Sequence, residues 1–151
     1  MMRLLKYTGI FLAILLVAAS VYSLTPHGRL TYAIIFSDYG NDRLVRQIAD
    51  ELSSQTTNWG DQGSIIAILN SEHIVRAGVE AKLIAAGFER TNELSLYVRD
   101  RLTSPVEQGA EIFQVAVQGL PCTELLYVFL LFDDNGYLVD AKAAQFEAGC
   151  L

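Results

Sequence analysis

The sequence predicts an α+β fold: an N-terminal membrane helix, then one or two helices packed on an antiparallel β-meander of about four strands. Three observations predict it. An uncharged apolar run, residues 7–24, follows two bases, Arg3 and Lys6. Apolar residues recur at helical spacing in two segments between residues 42 and 86. From residue 94 onward the pattern alternates as in strands and includes an Asp-Asp-Asn-Gly turn at residues 133–136. Helices first and strands afterwards make an α+β arrangement rather than a parallel α/β one.

The first element is residues 1–24, a signal-anchor or signal peptide. A membrane-spanning helix needs about 20 mainly apolar residues. The 18 residues of 7–24 stand at the low end of that range. A cleavable signal has the same order of parts, namely a basic start, an apolar middle and a small-residue cleavage site. Ala18-Ala19-Ser20 and Val21-Tyr22-Ser23 supply such sites, neither as a clean Ala-x-Ala. Both readings stay open, with the uncleaved anchor ahead. In each, Arg3 and Lys6 remain cytoplasmic by the positive-inside rule. The expected location is therefore the inner membrane, crossed once by residues 4–24, with the C-terminal domain in the periplasm. The alternative is secretion to the periplasm after cleavage.

Residues 25–40 read as a linker and residues 41–151 as the exported domain. Pro26-His27-Gly28 breaks the apolar helix, and residues 30–36 form a β-branched and aromatic run that suits a strand or an extension of the anchor. Ser37-Asp38-Tyr39-Gly40-Asn41 is a turn cluster, with Asn41 a helix N-cap. Leu44, Val45, Ile48 and Leu52 then mark an amphipathic helix over residues 42–53, with Asp42 and Arg46 paired on its polar face. Residues 53–63 read as a loop whose Trp59 folds back on the core. Residues 64–69 are too short an apolar run for periodicity to separate strand from helix.

Ser71 is expected to cap a second helix reaching about residue 86. Ile74, Ala77, Gly78, Ala81 and Ile84 lie along one stripe, and His73, Arg76 and Glu80 along the other. On that facing a charge at Ala81 meets the sheet and destabilises the domain, whereas Glu80→Ala does little. Gly87 is the expected stop, and Phe88 returns to the core. Strands follow over residues 94–98, 112–117, 125–132 and 137–146. The unbroken apolar run of 125–132 is expected to be covered on both faces.

Charge limits the partners. Without Arg3 and Lys6 the body, residues 25–151, keeps nine bases against all seventeen acids, a formal charge of −8. That excludes electrostatic binding of nucleic acid or anionic headgroups.

Four stretches carry a family resemblance: Ala77-Gly-Val-Glu-Ala-Lys-Leu-Ile-Ala-Ala-Gly-Phe88, Leu96-Tyr-Val98, Phe132-Asp-Asp-Asn-Gly-Tyr-Leu-Val139 and Gly149-Cys-Leu151. Through them about half the chain resembles the SmpA/OmlA lipoproteins, the BamE-like group that assists outer-membrane assembly. The resemblance implies a helix ending in Gly-Phe laid over a sheet, closed by a Phe-Asp-x-x-Gly-x-Leu-Val hairpin. Unlike those lipoproteins, this chain has no cysteine after the apolar run to carry lipid. The resemblance transfers no functional residue.

No catalytic constellation is legible. His27 reads as a linker residue and His73 as a surface histidine beside Glu72 and Arg76. Zinc would need several closely spaced ligands, which are missing. Gly63-Ser64 lacks the frame of a nucleophile elbow. Gly60-Asp61-Gln62-Gly63 lacks the lysine of a phosphate loop. Asp133 and Asp134 fit a turn better than a calcium site. Arg99, Asp100 and Arg101 read as a solvated strand end.

The site residues expected are Cys122 and Cys150, as a disulfide. An even count of two in an exported domain suggests it, and hairpin register supports it. With Asn135 and Gly136 as a two-residue loop, paired positions sum to 271 and Cys122 faces Gly149. A three-residue loop shifts the sum to 270 or 272, and the latter sets Cys122 opposite Cys150. No cofactor and no enzyme activity are expected. The expected function is a non-catalytic protein-interaction module of the cell envelope, tethered to the membrane, contacting an envelope protein through a sheet face or edge strand. The alternatives are an exported small-ligand or lipid-binding module and an exported hydrolase.

Overall fold

The computed structural model describes residues 2–25, 28, 31, 34–35, 42–54, 62–69, 75–92, 94, 109–117 and 122–150. Among the described residues four named helices precede a single sheet: α1 (Met2–Ser23), α2 (Arg43–Ser54), α3 (Gln62–Leu69) and α4 (Arg76–Ala85). The sheet is an antiparallel meander in the order β1-β2-β3-β4. Its strands are β1 (Glu89–Thr91), β2 (Glu111–Val117), β3 (Cys122–Phe132) and β4 (Leu138–Cys150). The fold is thus α+β with a four-stranded meander, as the patterning predicts. It has three named helices after the first, not one or two.

α1 is 22 residues long. Its side chains are described over residues 7–22, where all are exposed, Phe11, Leu16 and Val17 each at 63%. Among the described residues, no helix is long and apolar enough to cross a membrane. Beyond Ser23, Thr25 closes the helix end: its hydroxyl donates to the Tyr22 carbonyl (2.7 Å) and accepts from the Gly28 N–H (3.0 Å). In the run of residues 30–36, considered above as a strand, the described residues Thr31, Ile34 and Ile35 are helical. Ile34 joins the core.

α2 buries Leu44, Val45, Ile48 and Leu52, the four positions its spacing selects, with Ala49 beside them. Its N-cap lies one residue later than Asn41, which falls outside the described residues. Asp42 Oδ1 accepts from the N–H groups of Leu44 (2.8 Å) and Val45 (3.2 Å). The ambiguous run of 64–69 is helical, within α3, and packs against β4. Ala141 and Ala143, fully buried on that face of β4, are small enough to let the helix layer come close to the sheet.

α4 begins at Arg76, after Val75, with no side-chain cap. The proposed cap Ser71 lies outside the described residues. The expected facing is corrected: Val79 and Leu83 are buried, while Ala77, Gly78, Ala81 and Ile84 are exposed. Burial follows Val79 and Leu83, four residues apart, rather than the longer row that contains Ile84. The C-terminus stops at Gly87 as predicted. Gly87 has φ 87°, its N–H donates to Ile84 O (3.0 Å), and the Phe88 N–H donates to Leu83 O (3.0 Å). This double bond turns the chain so that Phe88 enters the core and residues 89–91 pair with β2. That strand was not expected. The strand expected over residues 94–98 lies outside the described residues except for Leu94.

β3 is buried on both faces, as its continuous apolar run implies. Leu126, Val128 and Leu130 meet Phe113, Val115 and the helices on one side. Tyr127 and Phe129 join Ala144 and Phe146 on the other, with Leu94, Ile112 and Leu125 packed against them. Tyr127 stacks with Phe129 at 6.1 Å and meets the Phe146 ring edge-on at 5.8 Å.

The β3–β4 loop is not the two-residue Asn-Gly turn. Asp133 N–H donates to Tyr137 O (2.9 Å), so residues 134–136 form a three-residue loop. No residue but glycine has positive φ among the described residues, and Gly136 takes φ 80°. That is a turn closed by one left-handed glycine, the usual form of a three-residue hairpin loop. The Asp133 carboxylate decides it by accepting from both Asn135 N–H (2.9 Å) and Tyr137 N–H (2.8 Å).

Candidate functional site

The hairpin tip is where α4, β1 and β2 converge. Val75 makes an antiparallel bridge to Tyr137, and the Arg76 N–H donates to Gly136 O (2.8 Å). The Arg76 guanidinium lies over the Phe132 ring, 4.9 Å from its centroid. It also reaches the Glu111 carboxylate, Nε to Oε1 3.3 Å. Arg90 on β1 meets the same oxygen at 3.2 Å and touches Glu80 on α4 at 3.8 Å. Glu111, the first residue of β2, is the hub: its side chain is only 11% exposed. Burial pushes its carboxyl above the ordinary carboxylate range. A hydrogen bond to Glu80 adds to the rise, and Arg90 and Arg76 oppose it.

Around this cluster the surface is apolar. Val75 (44% exposed), Tyr137 (50%) and Val139 (49%) lie together at the tip. Val139 is exposed because it is an inserted residue. Leu131 pairs with Asp140 but Phe132 with Leu138, so Val139 has no partner on β3.

A second insertion at the far end decides the cysteines. Glu124 pairs with Glu147 but Thr123 with Gly149, which leaves Ala148 over. The paired positions therefore sum to 270 at the loop, 271 along most of the hairpin and 272 at its end. Cys122 stands directly opposite Cys150. Cys122 is buried, and no free cysteine occurs among the described residues. Of the sums considered, the three-residue loop takes 270 rather than 272, and two bulges in β4 bring Cys122 opposite Cys150.

Two residues after Cys122 the hairpin holds a buried polar pair. Glu124 is 2% exposed on the helix-facing side of β3, and Gln145 Nε2 donates to its Oε2 (3.2 Å). The signal for it was in the sequence: Glu124 keeps the inward alternation of Leu126, Val128 and Leu130. Glu111 was signalled in the same way by Phe113, Val115 and Val117. Arg76, Glu80 and Arg90 carried no such signal, because their roles depend on where α4 and β1 dock.

A cleft of about 550 Å³ opens among the helices, lined by Asp42, Gln47, Ala67, Lys82 and Ala85 among others. Lys82 donates to the carbonyls of Ile68 (3.0 Å) and Leu69 (3.3 Å), capping the C-terminal end of α3. The cleft lies between helices and not between helices and sheet, where a lipid-binding cavity was looked for.

Of the other residues weighed in the sequence, His27, Trp59, His73, Arg99, Asp100 and Arg101 lie outside the described residues. Asp133 and Asp134 belong to the turn, and Gly63-Ser64 lies within α3. Among the described residues no three His, Cys, Asp or Glu side chains gather to hold a metal ion. The fold and its buried hub define an α+β meander domain. No family model, no curated protein and no solved structure matches the chain.

Proposed function

We propose that the protein is a membrane-tethered module of the cell envelope that binds another envelope protein and is non-catalytic. Residues 4–24 anchor it in the inner membrane, and residues 25–151 stand in the periplasm. The observation that carries this reading is α1. Its apolar side chains are exposed all round over residues 7–22, beside a body whose own apolar residues are well buried. Such a surface is costly in water and favourable in lipid. The sequence continues the uncharged run through Leu24. The likeness to BamE-like proteins agrees with a place in the cell envelope.

The contact surface we favour is the hairpin tip. Both faces of β3 are covered. The middle of β4 is closed too, since Ala141, Ala143 and Ala144 have no exposure even of backbone. The exposed Val75, Tyr137 and Val139 remain. The same proposal includes a bond between Cys122 and Cys150, supported by their opposition in the register and by the periplasm as an oxidising compartment. The small-ligand alternative has one observation in its favour, the interhelical cleft at Lys82.

A reporter active only in the cytoplasm, fused after Leu151, should stay silent, and the fusion should fractionate with membranes. Strong cytoplasmic activity would overturn the location. In the same membranes, a photo-crosslinking residue at Val139 should give a discrete protein adduct. An adduct pattern no different from that of exposed Ala116 would remove the tip as a contact surface.

A further inference from the structure

The hub at Glu111 contains one atom that the ion pairs leave unexplained. Glu111 Oε1 serves both guanidinium groups, at 3.3 Å from Arg76 and 3.2 Å from Arg90. Its second oxygen, Oε2, is buried and has no hydrogen-bond partner. Yet the two guanidinium nitrogens of Arg90 reach Glu111 and Glu80 respectively, which sets the two carboxyls side by side. Two ionised carboxylates only accept and cannot bond to each other; one proton between them supplies the missing donor. Arg90 holds the pair together from outside, at 3.2 Å from Glu111 and 3.8 Å from Glu80. The charged groups facing Glu111 are Arg76 and Glu80 from α4 and Arg90 from β1. The hairpin adds the Phe132 ring and the Gly136 carbonyl, which do not titrate.

We propose that Glu80 and Glu111 share one proton, and that this proton latches the first turn of α4 onto the hairpin tip. With the proton in place the carboxyls bond to each other and Glu111 keeps both arginines. Without it, two neighbouring like charges push apart, and the Arg76 contacts to Gly136, Phe132 and Glu111 loosen together. The tip residues Val75 and Tyr137 then separate. The inference stands apart from the membrane and partner readings, since it concerns only how α4 is held.

The sign follows from the direction of the shift. Burial, then the Glu80 hydrogen bond, raises the Glu111 carboxyl in the folded state. The docked state thus binds more protons in the window just above the ordinary carboxylate range. Docking is strongest below that window and weakens as pH rises through it.

Hydrogen exchange of the full-length protein in mild detergent, from pH 5 to 8 and corrected for intrinsic rates, tests this. The reporter is the Arg76 N–H, bonded to Gly136 O at 2.8 Å. Its protection should fall a few-fold with rising pH, bounded at about tenfold per pH unit of the window. The Val128 amide in the middle of β3 should not follow. In Glu111→Gln the amide side chain donates the bond that the proton supplied, so protection should stay high at every pH. Glu80→Gln, at a more exposed position, should reduce the slope to the part that burial of Glu111 alone supplies, and serves if the first variant folds poorly. A flat wild-type profile, or an unchanged slope in Glu80→Gln, would overturn the latch.

Discussion

Gly136 holds φ at 80°, and a Cβ there would meet nothing within 4 Å. Any cost of substitution is therefore conformational rather than steric. Gly136→Ala should destabilise the protein by about 1 kcal/mol, the penalty of a left-handed residue with a β-carbon. Gly136→Asn should cost less. Urea midpoints of the two variants check this, and an unchanged midpoint for alanine would mean that the loop has another conformation. The neighbouring Asp133 shows why composition alone chose the wrong loop. Asn-Gly favours two left-handed residues, but the Asp133 side chain bonds two backbone N–H groups and holds Asn135 at negative φ. Side-chain chemistry one residue outside the dipeptide overrode it.

At the scale of elements, α2 and α4 behaved differently. The four apolar positions of α2 are large and unambiguous, and all four are buried. In α4 the apolar residues are spread around the helix, so counting them along one row chose the wrong stripe. The buried pair Val79 and Leu83 leads instead into the Gly87 stop and the buried Phe88. Val79→Asp should cost several kcal/mol, since it buries an unpaired charge. Ala81→Asp, on the exposed side, should stay within about 0.5 kcal/mol. Thermal melts of the pair decide the facing, and the reverse order would restore the original stripe.

The molecule as a whole is organised around β3, which lies between two apolar layers and pairs on both edges. A crosslink between Cys122 and Cys150 would close the open end of its longest pairing. The closed loop is of a length for which such a bond adds about 3–4 kcal/mol by restricting the unfolded chain. Non-reducing mass spectrometry of protein recovered from the envelope should show the two cysteine peptides joined. Free alkylation of both thiols before reduction would refute the bond and weaken the case for a periplasmic domain. The opposite end of the hairpin is held without covalent help, by the arginine and carboxyl cluster.

Local chemistry was readable in the chain itself. The Gly87 stop, the α2 periodicity, the doubly buried β3 and the position of the hairpin all arise from interactions within a few residues, where backbone preference and spacing decide. Other features required the packed molecule. The bulges at Val139 and Ala148 restore the inward alternation of a strand squeezed between two layers, and no neighbouring residue announces them. The short strand β1 exists because the turn after α4 aims residues 89–91 at β2. The Glu111 hub draws its partners from two other elements, α4 and β1, with Arg90 21 and Arg76 35 residues away in the chain. Only the docking of α4 on the hairpin brings those charges together, because burial acts on whole surfaces and spacing along the chain does not record it.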